Sequence, residues 1–80
     1  MKKTANIEAR NLIGVRLREI RLQQKPEVTL DDLAGRLAAR GVTLDRSAIG
    51  RIENLKRYVL DYELKALANA LRIEVRDLLR

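Results

Sequence analysis

The chain of 80 residues contains no cysteine, no histidine, no tryptophan and no phenylalanine. Without thiols there is no disulfide framework and no thiolate metal site, which is typical of a reducing compartment. Without imidazole as well, transition-metal sites and most nucleophile–base pairs are disfavoured. There is also no phosphate-cradling glycine loop and no spaced acid–base pair in an apolar setting. We therefore expect no enzymatic activity, no catalytic residue, no metal and no cofactor.

Long apolar runs are absent too. No run approaches the ~20 residues that a membrane span needs, and a helix lying on a membrane surface would normally carry tryptophan or phenylalanine. The opening Met-Lys-Lys resembles the start of a signal peptide, but the residues that follow, "TANIEARN", do not form its apolar core. These absences predict a cytoplasmic protein with no membrane partner.

Positive charge is abundant: 17 lysines and arginines outnumber 11 acidic residues, for a net charge of +6. This balance is typical of nucleic-acid-binding domains, although charge alone is equally consistent with a highly charged helical bundle. Residues 1–11 are expected to form a flexible N-terminal arm carrying Lys2, Lys3 and Arg10. A solvated tail is the favoured interpretation of this arm, and a contact with the DNA backbone or minor groove is the alternative.

The spacing of apolar residues predicts one all-α domain over residues 12–80. Thr29 and Asp32 have the spacing of a capping box at the start of a second helix, and Gly41 suits the left-handed position after its end. Asp45 can cap a third helix. The predicted helices span residues 12–24, 30–40, 46–54, 61–71 and 74–79.

The third predicted helix has two unlike faces. At about 100° per residue, Ala48, Ile49 and Ile52 fall on one apolar face that would pack against the domain. The opposite, polar and cationic face carries Arg46, Ser47, Gly50, Arg51 and Asn54. Two short helices joined by a turn, the second capped and cationic outside, have the outline of a helix-turn-helix unit.

Four segments in order, "IGVRLREIR", "TLDDLAGRL", "RSAIGRIEN" and "KRYVLDYELKALANALRIEVRDLL", resemble the Cro/phage-repressor-like (XRE-type) helix-turn-helix DNA-binding family. The resemblance covers residues 13–79 and implies a compact five-helix domain with the helix-turn-helix at helices two and three. Because the segment from Leu33 to Arg46 is longer than in compact members, the chain is similar to a longer-turn variant. Leu55 stands where the family usually has a glycine after Glu-Asn, so the chain must leave the third helix differently.

The resemblance implies a sequence-specific regulator of transcription, expected to be a repressor, that binds double-stranded DNA by placing helix three in the major groove. It also implies a homodimer on a palindromic site. The alternative is an antitoxin or protein-interaction adaptor that uses the same fold, with a toxin or co-regulator as its partner.

Site residues carry over from the family position by position. The resemblance implies base contacts by Arg46, Ser47 and Arg51, and phosphate contacts by Thr29, Asn54, Lys56 and Arg57. It further implies that Arg21 and Glu53 pair as a structural clamp between helices one and three. The competing interpretations are solvated surface arginines, or arginines that contact only phosphates, and a serine that only favours the helix start. Tyr58 and Tyr62 are interpreted as packing residues with solvated hydroxyls, and base stacking is the alternative. For Gly50, close approach to a groove wall and neutral drift are equally good explanations.

Overall fold

A computed structural model describes residues 11–80 of the chain, and this part contains helices and no strand. The helices are α1 (Gly14–Gln23), α2 (Leu30–Ala39), α3 (Arg46–Glu53), α4 (Asp61–Leu71) and α5 (Val75–Leu78). The all-α prediction is confirmed for the described residues. Each helix begins and ends within one or two residues of its predicted limits, the spread expected of fraying helix ends.

Local capping groups explain why the starts of α2 and α3 were predictable. The Thr29 hydroxyl accepts a hydrogen bond from the Asp32 amide at 3.0 Å, and the Asp32 carboxylate accepts one from the Thr29 amide at 3.0 Å. At α3, the Asp45 carboxylate accepts a hydrogen bond from the Ala48 amide at 2.8 Å. These oxygens satisfy backbone donors that have no partner inside the helix, and each cap stabilises its helix by about 1 kcal/mol.

The turn between α2 and α3 depends on Gly41, whose φ of +81° lies in the left-handed region. The amides of Gly41 and Val42 donate hydrogen bonds of 3.0 Å to the carbonyls of Ala38 and Leu37. This arrangement satisfies two carbonyls at the end of α2 and reverses the chain toward Asp45.

One apolar cluster joins the helices. α3 packs against both α1 and α2, α2 packs against α4, and α4 packs against α5. Burying each large aliphatic side chain stabilises the fold by about 1.5–3 kcal/mol. The cluster consists of Ile13, Leu17, Ile20, Val28, Leu33, Leu37, Leu44, Ala48, Ile49, Ile52, Ala66, Leu67, Ala68, Ala70, Leu71 and Leu78.

Asn11, the last residue of the expected N-terminal arm, contacts the start of α1 and the end of α3. Its side chain is buried, and its Oδ1 accepts hydrogen bonds from the amides of Ile13 and Gly14 at the start of α1. Its Nδ2 donates to the carbonyls of Ile52 and Arg57, at 2.8 and 3.1 Å. Asn11 therefore ties the start of α1 to the end of α3 and to the segment that follows. The other residues of the expected arm, including Lys2, Lys3 and Arg10, lie outside the described residues.

Candidate nucleic-acid interface

The outward side of α3 and its C-terminal residue carries Arg46, Ser47, Gly50, Arg51 and Asn54, and we call it the outer face of α3. Gly50 is half-buried and the other four residues are exposed. On the opposite side Ala48, Ile49 and Ile52 are buried in the core. The helix is therefore held by its apolar side while its polar, cationic side faces solvent. Glu53, the only acidic residue within α3, is buried and does not add negative charge to this face.

Arg46 and Arg51, the two arginines on the outer face, are accessible to a ligand. Arg46 Nη1 lies 3.4 Å from Asp31 Oδ2, but the two side chains are 67% and 69% exposed. An ion pair as open to solvent as this one contributes little stability, so a ligand can replace the carboxylate at small cost. The Arg51 side chain has no hydrogen-bond or ion-pair partner among the described residues.

Among the expected phosphate contacts, Asn54 and Lys56 are exposed at and just beyond the end of α3. Thr29 is placed differently, because its hydroxyl is engaged as the cap of α2 and the first turn of α2 contains Asp31 and Asp32. Two carboxylates beside a helix start repel a phosphate. They also already neutralise the partial positive charge at the N-terminal end of the helix. The start of α2 is therefore a poor phosphate site in this chain.

Arg57, also expected to contact phosphate, is engaged inside the protein. Its guanidinium donates to both carboxylate oxygens of Glu63, at 2.9 and 3.0 Å, and to the Tyr58 carbonyl at 2.8 Å. The Glu63 side chain is only 4% exposed. The hydrogen bonds from Arg57 hold the pKa of Glu63 below its usual value. Sequence reasoning missed this pair, because Arg57 lies in the non-helical segment between α3 and α4, whose path has no local signal, and Glu63 lies in α4.

Arg21 and Glu53 lie together, as the family resemblance implied. Arg21 donates through Nε and Nη2 to the two oxygens of Glu53, at 2.7 and 2.9 Å, and through Nη1 to the Val28 carbonyl at 2.9 Å. The two side chains are 9% and 5% exposed. Hydrogen bonding to Glu53 raises the pKa of Arg21 above its ordinary value. These contacts fix α3 to α1 and to the segment before α2, and thereby set the orientation of the outer face.

The end of α3 shows how Leu55 replaces a glycine. Leu55 has a φ of +60°, in the left-handed region, and its amide donates to the Ile52 carbonyl at 3.1 Å. The next amide, of Lys56, donates to the Arg51 carbonyl at 2.8 Å. This is the hydrogen-bond pattern with which glycine usually ends a helix. The Leu55 side chain is half-buried beside Gly14. Packing of this side chain offsets the cost of the left-handed backbone.

Tyr58 and Tyr62, interpreted from the sequence as packing residues, are 41% and 58% exposed. Val59 and Leu64, close to them in sequence, are partly buried against the core.

Within residues 11–80, none of the helices has the length and apolar character that crossing a membrane requires. Over the same residues, no group of three or more acidic side chains is placed to hold a metal ion. Comparison with protein-family models, with curated proteins and with solved structures finds no match to this chain.

Proposed function

We propose that the protein is a sequence-specific, double-stranded-DNA-binding regulator of transcription, acting as a repressor, and that α3 enters the major groove. The observation that carries the proposal is the outer face of α3. It presents Arg46, Ser47 and Arg51 to solvent on a helix whose angle is fixed by the buried pair of Arg21 and Glu53. Accessible arginines on a rigidly held helix are the arrangement that base recognition needs.

The dimensions and chemistry of α3 suit the groove. The major groove is about 12 Å wide and admits an α-helix, whose diameter with side chains is about 10–12 Å. A guanidinium can bond both O6 and N7 of guanine, which contributes about 1–3 kcal/mol of discrimination for each arginine, and a serine hydroxyl can bond either a donor or an acceptor. Asn54 and Lys56, at the exit of the helix, are placed to contact phosphates on the groove edge.

We assign α2 and α3 to the two helices of a helix-turn-helix within a phage-repressor-like domain. Three features support this assignment. The turn around Gly41 joins two helices that pack on each other, α3 is the shorter of the two and is capped by Asp45, and the arginine–glutamate clamp lies where the family resemblance implied. The exposed side of α3 is then the recognition surface.

A homodimer on a palindromic site completes the proposal. One module of this size contacts only about 600–1,000 Å² of its own surface, which gives marginal affinity. Two modules related by a two-fold axis would contact half-sites about one helical turn apart. Leu79, 48% exposed at the end of α5, is our candidate for a residue in the dimer contact, together with the half-buried Val75.

Selection of bound duplexes from a random pool, followed by gel-shift titration of the recovered sequence at several salt concentrations, tests the proposal. We expect a recovered site with two-fold symmetry, and affinity that falls as the salt concentration rises. The alternative, an antitoxin or adaptor that binds only protein, would give no salt-sensitive binding to any duplex at micromolar protein. That result would overturn the proposed function.

A further inference from the structure

A small notch opens beside the outer face of α3, between α1, the start of α2 and α3. It has a volume of about 250 Å³ and is lined by Arg18, Arg21, Leu30, Gly50, Glu53 and Asn54. We call it the Gly50 notch. Its volume corresponds to roughly eight water molecules, so it has room for a charged group together with some of its hydration. Neither the core packing nor the base contacts of the proposed function account for it.

The uncompensated charge in the Gly50 notch comes from Arg18. The charges of Arg21 and Glu53 neutralise each other through two hydrogen bonds. Arg18 is exposed on α1, and its side chain has no hydrogen-bond or ion-pair partner among residues 11–80. Asn54 adds an exposed amide, which can donate hydrogen bonds. The notch therefore offers one free cation and one polar donor, and it favours an anion.

Gly50 forms part of the wall of the notch, and the fold does not require a glycine there. A Cβ atom at this position would meet only a Leu30 methyl, at 3.9 Å, which is ordinary van der Waals contact. Gly50 lies inside α3, where alanine is more stable than glycine. Packing therefore leaves the absence of a side chain unexplained, and a ligand that approaches the backbone of α3 closely would explain it.

We propose that the Gly50 notch receives one phosphodiester group of a DNA strand bordering the groove, with Arg18 and Asn54 as its ligands. This inference rests on the proposed function. It adds Arg18 to the interface and gives Gly50, already on the outer face of α3, a role in it. A helix with side chains nearly fills the width of the major groove, so one strand can approach closely only where the helix side is small. Arg18 lies on α1, beside α3 and not on its outer face, so it meets the sugar–phosphate backbone and not the base edges.

Fluorescence anisotropy with a labelled random-sequence duplex of about 20 base pairs, two helical turns, tests the proposal across a series of salt concentrations. The proteins compared are the wild type, Arg18→Ala, Gly50→Gln and Arg76→Ala. Arg76 is an exposed arginine on α5 whose side chain has no partner among the described residues, so its loss is a control matched in charge. Log K falls as log salt rises, and we expect Arg18→Ala to make this slope shallower by about 0.9. Arg76→Ala should leave the slope unchanged.

Gly50→Gln is neutral and suits a helix, but its side chain would fill the notch. We expect it to weaken duplex binding without loss of helical circular dichroism. In the double variant Arg18→Ala with Gly50→Gln, we expect the loss of binding free energy to be smaller than the sum of the two single losses. Both substitutions affect the same phosphate contact, so their effects should not add. Equal salt slopes for Arg18→Ala and Arg76→Ala, or wild-type binding by Gly50→Gln, would overturn the notch as a phosphate site. A wild-type protein that shows no salt-sensitive duplex binding would instead overturn the proposed function and this inference with it.

Discussion

At the scale of single residues, two helical glycines have different surroundings. A Cβ atom at Gly14 would collide with the backbone oxygen of Ile52 and would lie 2.9 Å from a methyl group of Leu55. A Cβ atom at Gly50 would have its nearest neighbour, a methyl group of Leu30, at 3.9 Å. Gly14 is therefore required by the close approach of α1 to the end of α3, whereas Gly50 has space for a side chain.

Alanine at these two positions should change the free energy of unfolding in opposite directions. Gly14→Ala forces α1 away from the backbone of α3 and should destabilise the protein by about 1–3 kcal/mol. Gly50→Ala removes an unfavourable helix residue without a clash and should stabilise it by up to about 1 kcal/mol. Urea denaturation followed by circular dichroism measures both changes. A loss of stability at Gly50 would contradict the space that the structure gives it.

At the scale of helices and their connections, two charge pairs determine how α3 is held. Arg21 and Glu53 join α1 to α3, and Arg57 and Glu63 close the segment between α3 and α4. Asn11 adds a neutral tie, since it binds carbonyls at the end of α3 and in the same segment. The end of α3 and the segment between α3 and α4 are thus both attached to the domain. The outer face of α3 therefore has a defined orientation.

The Arg21–Glu53 pair can be tested with a double-mutant cycle. Glu53→Ala leaves a buried guanidinium without its carboxylate and should cost about 3–5 kcal/mol, a large part of the stability of a small domain. Replacing both residues, as Arg21→Met with Glu53→Leu, should recover most of that loss, because apolar side chains of similar volume replace a buried ion pair well. Urea denaturation of the wild type, Arg21→Met, Glu53→Leu and the double variant gives the coupling energy.

The same double variant separates stability from orientation. If the clamp sets the angle of α3, the double variant should fold but bind its selected duplex more weakly than the wild type does. Wild-type affinity in a folded double variant would show that the clamp serves stability alone.

The Arg57–Glu63 pair predicts a dependence of stability on pH. The pKa of Glu63 is lowered in the folded protein by hydrogen bonds from Arg57, against an ordinary value of 4.5. The unfolded chain therefore binds the proton more readily, and the stabilisation is present above about pH 4.5 and is lost as the pH falls through the folded pKa. Glu63→Gln should remove this part of the acid destabilisation. Urea midpoints of both proteins between pH 3 and 7 should converge toward low pH, and parallel curves would contradict the prediction.

The helix positions and the two faces of α3 could be predicted from the sequence because their signals are local. Thr29, Asp32 and Asp45 cap the helices within three residues of their own positions, and the apolar spacing of α3 identifies its buried side. The contacts at the exit of α3 could not be predicted in this way. Asn11 reaches residues more than forty positions away, and the pairing of Arg57 depends on the path of an irregular segment.

Left-handed backbone conformations at residues other than glycine could not be predicted from the sequence either. Leu55 and Arg72 both have a φ of +60°, where glycine would be expected, and nothing in a leucine or an arginine signals a left-handed backbone. For Leu55, the sequence analysis predicted only that the chain must leave the third helix differently, because the family usually has a glycine at this position. The hydrogen bonds of the following amides show that each residue ends its helix as a glycine would.

At the scale of the whole molecule, the net charge of +6 matters less than which cations remain accessible. Arg21 and Arg57 are committed to buried carboxylates. The side chains of Arg51 and Lys56 are exposed and have no partner among the described residues. They lie on the outer face of α3 and just beyond it. A duplex docked on α3 would therefore meet accessible positive charge both at the base edges and at the groove edge.

This distribution predicts that two neighbouring cations affect DNA binding differently. Lys56→Ala should weaken binding to all duplexes alike. Because it removes one phosphate contact, it should also make the negative slope of log K against log salt shallower by about 0.9. Arg51→Ala should lose about 1–3 kcal/mol, roughly 5- to 150-fold, on the selected duplex beyond any loss on random duplex, because it removes discrimination at one base pair. Anisotropy titrations of both variants on the selected and random duplexes measure the ratio of the two affinities. The ratio should stay constant for Lys56→Ala and fall for Arg51→Ala. If the two variants changed it equally, α3 would not be the helix that contacts the bases.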